Sequence, residues 1–298
     1  MDDAGAAQCI SNHEIDILID LHGLTSGARP DIPAYRPAVV QMTYLGFPGS
    51  TGLPGIDYVI ADRYLIPDSE KAYYSETPLY LAQIYQCSDR QRPVAALPTR
   101  AECGLPQDRF VFCSFNNNYK FNEAVFDCWM RILQRAPESV LWLLADNPWA
   151  QENLCARARA NGVDPARLLF APRVAPAQYL ARYSAADLFL DAYPFNAGTT
   201  ANDALWMGLP VLTRSGRTFA SRMAGSLLTA LDLPELITTT LSEYEERAVE
   251  LATQADLLPG LRERLHQGRE HSALFDTPRF VRDFEDAISS VAPGRAQP

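Results

Sequence analysis

Apolar positions in the first third of the chain come in short runs bounded by Gly, Pro and Asp. IDILIDL (15–21), VVQMTYLGF (39–47), DYVIAD (57–62) and PLYLA (78–82) are too short for helices and read as strands. LGFPGSTGLPG (45–55) is a turn-rich loop between two of them. From residue 85 to 106 the pattern is lost and Pro and charge accumulate, which marks a linker. Beyond it, strand-like and helix-like spacings alternate. FVFCSF precedes a helix whose Val125, Trp129 and Ile132 share a face and whose N-cap is Asn122. SVLWLLAD, RLLFAP, LFLDAY and PVLTRS are each followed by helical spacing in turn. The tail from Ser242 reads as amphipathic helix broken at Pro259.

Strands alternating with helices of this length build a parallel sheet covered on both faces. The expected fold class is therefore α/β with two doubly wound domains, residues 1–100 (with the linker) and 101–298.

Composition narrows the function classes. The 298 residues are 47% hydrophobic with a net charge of −10. An acidic balance argues against a general nucleic-acid or anionic-membrane binder, but leaves room for a local site for one small anion. No apolar run is long enough to span a bilayer, and MDDAGAAQCISNHE lacks the features of a signal peptide. The six cysteines show no CxxC pair or zinc spacing. Reduced cysteines, a cytoplasmic location and no metal are expected.

Ligands of doubly wound sheets bind beyond the carboxyl ends of the strands, near helix N-termini. Three loops of the second region occupy such ends. NNNYKFN (116–122) offers amides, Asn117 among them, and the cation Lys120. APRVAPAQYLARY (171–183) offers backbone amides around Val174 to a base edge, with Tyr179 and Arg182 in the helix that follows. DAYPFNAGTTAND (191–203) brings Gly198, Thr199 and Thr200 to a helix start suited to negative charge, with Asp203 one turn in, where it would repel phosphate but accept from ribose hydroxyls. Taken singly, each loop also reads as an ordinary capped turn. In the first region, DLHGLTSGARP and the 45–55 loop have neither GxGxxG order nor a P-loop ending, against NAD oxidoreductases and P-loop ATPases. His22, beside Gly23 at a strand end, is a candidate acid–base residue.

The blocks ARPDIPAYRPAVVQMTYLGFPGSTGLPGIDYVIADRYLIP, FVFCSFNNNYKFNEAVFDCWMRILQRAPESVLWLL and ADLFLDAYPFNAGTTANDALWMGLPVLT resemble, in collinear order, the catalytic region of O-linked N-acetylglucosamine transferases. This is glycosyltransferase family 41, with its SPINDLY-like members. The resemblance implies a GT-B fold, two Rossmann-like domains facing a cleft, and a first domain that is incomplete here. It implies UDP-N-acetylglucosamine as co-substrate, a protein Ser or Thr as acceptor, inversion at the anomeric carbon and no metal or other cofactor. Carried over by position, Lys120 would contact the diphosphate, Asn117 would lie near the phosphate, and Thr199 and Thr200 would bind phosphate at the helix start. Asp203 would hold the ribose, the Arg173–Val174 turn would read uracil, and Arg182 would lie nearby. Tyr179, Gly198 and Thr77 depart from the family pattern, and the family's proposed histidine base and its acceptor-selecting tetratricopeptide repeats lie upstream of the matched blocks. The alternatives are a member using fucose, glucose or an Asn acceptor, and an inactive nucleotide-binding or interaction module.

Overall fold

The computed structural model describes residues 1–294. The chain forms two compact units. The first holds Met1–Cys87, Arg217–Ala220 and the segment from Asp276 onward; the second holds Ser88–Gly216 and Ser221–Phe275.

The first unit opens with α1 (Asp3–Asn12), which the hydrophobic pattern does not predict; the Asp2 carboxylate caps it by accepting from Gly5 N at 2.8 Å. The sheet follows as β1 (Ile17–Asp20), the short α2 (Asp31–Ala34), β2 (Val40–Thr43), β3 (Tyr58–Ala61) and β4 (Thr77–Tyr80). The strands lie parallel in sequential order, with Ile19 opposite Met42, Met42 opposite Tyr58 and Val59 opposite Pro78. Pro78 is tolerated because β4 is an edge strand. The loop after β1 meets the loop after β2 closely: Gly23 has φ +56°, and a Cβ on Gly46 would strike the Leu21 carbonyl. Glu76 anchors the 45–55 loop, accepting from Ser50 Oγ and Thr51 N at 2.6 Å and Thr51 Oγ1 at 2.5 Å. Burial alone would raise its pKa, but these hydrogen bonds outweigh it and hold the carboxyl below its ordinary value.

The second unit contains β5 (Phe110–Ser114), α3 (Glu123–Arg135), β6 (Ser139–Leu144), α4 (Pro148–Ala160), β7 (Leu168–Ala171), α5 (Pro176–Ala181), β8 (Leu188–Leu190), α6 (Thr199–Trp206), β9 (Val211–Arg214), α7 (Met223–Ala230), β10 (Ile237–Thr238), α8 (Leu241–Thr253) and α9 (Leu257–His271). All six strands are parallel, in the order β7-β6-β5-β8-β9-β10. This is the doubly wound order 3-2-1-4-5-6. Every residue of β6 is buried, as its unbroken apolar run requires of a strand covered on both faces. Asn122 caps α3 by accepting from Val125 N at 3.1 Å, and Val125, Trp129 and Ile132 are buried on one face. Each such side chain taken from water contributes about 1.5–3 kcal/mol.

Three expectations are corrected. The units divide after Cys87 rather than at residue 100, because the connecting segment docks on the second unit, where Arg100 bonds Asp187 at 2.6 Å. The last helix, α10 (Thr277–Ser290), belongs to the first unit, where Phe284 packs 5.3 Å from the Tyr44 ring. Pro259 does not break a helix; it lies in the first turn of α9, where a missing N–H costs nothing, and the interruption precedes it. No helix among the described residues is long and apolar enough to cross a membrane.

Candidate nucleotide site

The second sheet reverses its winding between β5 and β8, so the loops leaving these two strands flank the switch point. The loop after β5 turns through Asn118–Lys120 in a 3₁₀ turn, closed by Lys120 N on Asn117 O at 3.0 Å. Lys120 is half-buried, its ammonium 4.4 Å from the centre of the Phe195 ring. Burial lowers its pKa, and the negative field of Asp191 opposes that. Phe121 forms an antiparallel bridge to Pro194, which joins the two loops.

Asp191 ends β8 and is 1% exposed. One carboxylate oxygen accepts from Ala192 N at 2.7 Å and Ala197 N at 2.8 Å; the other accepts the Thr213 hydroxyl at 2.6 Å. Tyr244 of α8 donates to the Asp191 carbonyl at 3.0 Å and accepts Trp129 Nε1 at 3.3 Å. Burial pushes the Asp191 carboxyl up to about 7, against the pull of its hydrogen bonds and of Lys120. The effect is to fix the 192–197 loop and deliver Gly198 to the start of α6. Gly198 occupies the cap of α6, φ −96°, with no side-chain cap. Thr199 and Thr200 are the first helical residues, and their end of the helix presents backbone N–H groups without a capping side chain. Asp203 is buried and ion-paired to Arg92 of the connecting segment. Burial raises its pKa and Arg92 opposes the rise.

The third loop joins the others through Arg173, which donates to Asp146 at 2.8 Å and Asn117 at 3.3 Å. Val174 is exposed beside it. Arg182 is 5% exposed rather than solvated. One Nη donates to the Pro172 carbonyl at 2.7 Å, whereas Nε and the other Nη are buried without a partner. Its guanidinium lies 4.2 Å from the Phe115 ring centre and 4.8 Å from that of Tyr179. Tyr179 pairs with Tyr183 at 2.5 Å between hydroxyls, and burial pushes its phenol up to about 12. Tyr183 in turn donates to the Thr200 carbonyl at 3.4 Å, linking this aromatic cluster to the α6 start. Arg182 lines a cavity of about 500 Å³ together with Leu97, Pro98, Trp142, Val174 and Gln178. A flat heterocycle fits such an apolar slot with convergent donors.

The structure thus gathers Lys120, Asn117, Val174, Tyr179, Arg182, Gly198, Thr199, Thr200 and Asp203 in the second unit. His22 belongs to the first unit, in an exposed turn. Its backbone N donates to Asp20 at 3.0 Å, and its imidazole has no hydrogen-bond partner among the described residues. Sequence reasoning missed Asp191, Phe195, Tyr183 and Arg92. An acid closing the apolar run LFLD was the available signal for the first; Arg92 sits where the periodicity is lost. Among the described residues, no group of three or more His, Cys, Asp or Glu side chains is placed to hold a metal ion.

Comparison with known proteins places the chain. The profile of glycosyl transferase family 41 matches residues 1–98 and 88–284. The chain is 38% identical to the probable UDP-N-acetylglucosamine–peptide N-acetylglucosaminyltransferase SEC of Arabidopsis thaliana, over 94% of this chain and 29% of that protein. It is 31% identical to the probable SPINDLY transferase of Solanum lycopersicum, over 98% of this chain and 32% of that one. An O-GlcNAc transferase mutant of Thermobaculum terrenum superposes with a TM-score of 0.88 at 30% identity, covering 97% of this chain and 55% of that structure. The chain therefore spans about a third of the length of the curated relatives it matches. Its fold is GT-B, and the chain belongs to glycosyl transferase family 41.

Proposed function

We propose that the chain binds UDP-N-acetylglucosamine at the switch point of its second sheet and transfers the sugar, with inversion and without a metal, to Ser or Thr hydroxyls of a protein acceptor. The acceptor hydroxyl oxygen forms the new bond to the anomeric carbon and loses its proton to a general base as the bond to the diphosphate breaks in line, and UDP departs. Lys120 and the uncapped N–H groups at Thr199 and Thr200 stabilise the charge that grows on the leaving diphosphate. Uracil occupies the Arg182 cavity, where the unpartnered guanidinium donors and the Val174 backbone meet its carbonyls and N–H. Asp203 accepts from the ribose, and Asn117 lies on the phosphate side. His22 is the acid–base candidate of the first unit. The activity for which the Arabidopsis and tomato relatives are named supports the choice of donor and of a peptide acceptor.

The observation that carries this reading is Arg182: a guanidinium 5% exposed, with donors unpartnered, lining an apolar cavity on the same sheet edge as Lys120. Thermal melts with UDP, run beside transfer of labelled GlcNAc to a Ser/Thr peptide, test it. Stabilisation and transfer are expected; absence of a UDP effect at millimolar concentration would remove the site. A panel of UDP-GlcNAc, UDP-glucose and GDP-fucose settles the sugar.

A further inference from the structure

We propose that Arg92 is a ligand-contacting residue of this site, supplying a second cation to the diphosphate; the proposal rests on the nucleotide reading above. Arg92 lies on the connecting segment, which is built into the second unit rather than strung between elements. Ser88 and Asn202 hydrogen-bond reciprocally at 3.0 and 2.7 Å, Ala95 N donates to Ala177 O at 3.1 Å, and Ala95, Ala96, Leu97 and Pro98 wall the Arg182 cavity. The segment is thereby held along the site from α6 to α5.

The Arg92 guanidinium is only partly used. Nε donates to the Asp89 carbonyl at 3.1 Å and one Nη pairs with Asp203, but the other Nη is buried with no acceptor. A buried N–H of a charged group without a partner is costly, and a ligand oxygen removes that cost. Charge points the same way. A nucleoside diphosphate brings more than one negative charge, and Lys120 answers one. Arg173 is 64% exposed and paired with Asp146, and Arg182 sits among aromatic rings on the base side. Asp203 alone would repel a phosphate near the α6 start; paired with Arg92 it does not, while Arg92 keeps a free donor.

Calorimetric titration of the full chain with UDP and with uridine tests this in Arg92→Ala and in Arg92→Gln, the second keeping the stem should the first fail to fold. Both variants are expected to lose about tenfold in UDP affinity while uridine stays within about twofold of wild type. Parallel loss of UDP and uridine would make Arg92 a structural tie and overturn the proposal. Unchanged or tighter UDP binding would overturn it too, the tighter case marking Arg92 as a latch on Asp203 that the ribose displaces. Wild-type protein that binds neither ligand would remove the nucleotide site itself, and the role of Arg92 with it.

Discussion

Asp191 accepts the Thr213 hydroxyl at 2.6 Å, a bond that runs from the end of β8 to the neighbouring strand β9. The same carboxylate holds Ala192 N and Ala197 N, so one buried group sets both ends of the loop that leads to the α6 start.

That carboxyl titrates far above its ordinary range, from 3.8 to about 7, through burial. The folded protein therefore holds this proton more tightly than the unfolded chain does. The stability involved is fully present below the unfolded value and is lost as pH rises through about 7, on the order of 4 kcal/mol in all. Asp191→Asn keeps the shape without the charge. Melts at about pH 5 and about pH 8 should show the wild type losing several degrees more than the variant between the two. Equal slopes would refute a buried, titrating Asp191.

Lys120→Met retains the apolar stem over Phe195 and removes the ammonium. Because burial disfavours that charge, thermal stability should hold or rise slightly. UDP-GlcNAc transfer should fall by at least about a hundredfold, the scale of losing one group aimed at developing charge. Turnover near wild type would take Lys120 out of the diphosphate role.

Arg182→Met should fold, since Phe115, Tyr179 and Trp142 already form an apolar surround. Uridine and UDP should weaken together by about tenfold, the cost of a hydrogen bond from a charged donor. This parallel loss differs from the UDP-selective loss expected at Arg92, and calorimetry reads both.

Tyr244→Phe removes the donor to the Asp191 carbonyl and the acceptor for Trp129 Nε1. Both groups are buried, so a loss of about 1–3 kcal/mol is expected in denaturant unfolding. A change inside experimental error would mean that the loop is held without α8.

Much of the fold was legible because it is local. The four apolar runs of the first region contain β1 to β3 and all of β4 but Thr77, and Asn122 and the 3.6-residue face of α3 follow from neighbours in sequence. The switch-point loops were legible as polar exits from buried strands. What was not legible depends on distant partners. Arg92 lies in a stretch without periodicity, and only its pairing with Asp203, more than a hundred residues away, gives it meaning. Arg182 was legible as a site residue, but nothing local announces that Phe115 and Trp142 enclose its guanidinium. Asp191 takes its role from Thr213 and Tyr244, neither of them near it in sequence. The unit boundary was misread for the same reason, since composition marks where periodicity stops and not where the chain docks.

The return of α10 to the first unit also orders events on the ribosome. Tyr44 waits for Phe284, and Tyr85 for Phe219, whose ring meets it edge-on at 5.7 Å. The β1–β4 sheet therefore receives its last aromatic cover only after the entire second unit has been translated.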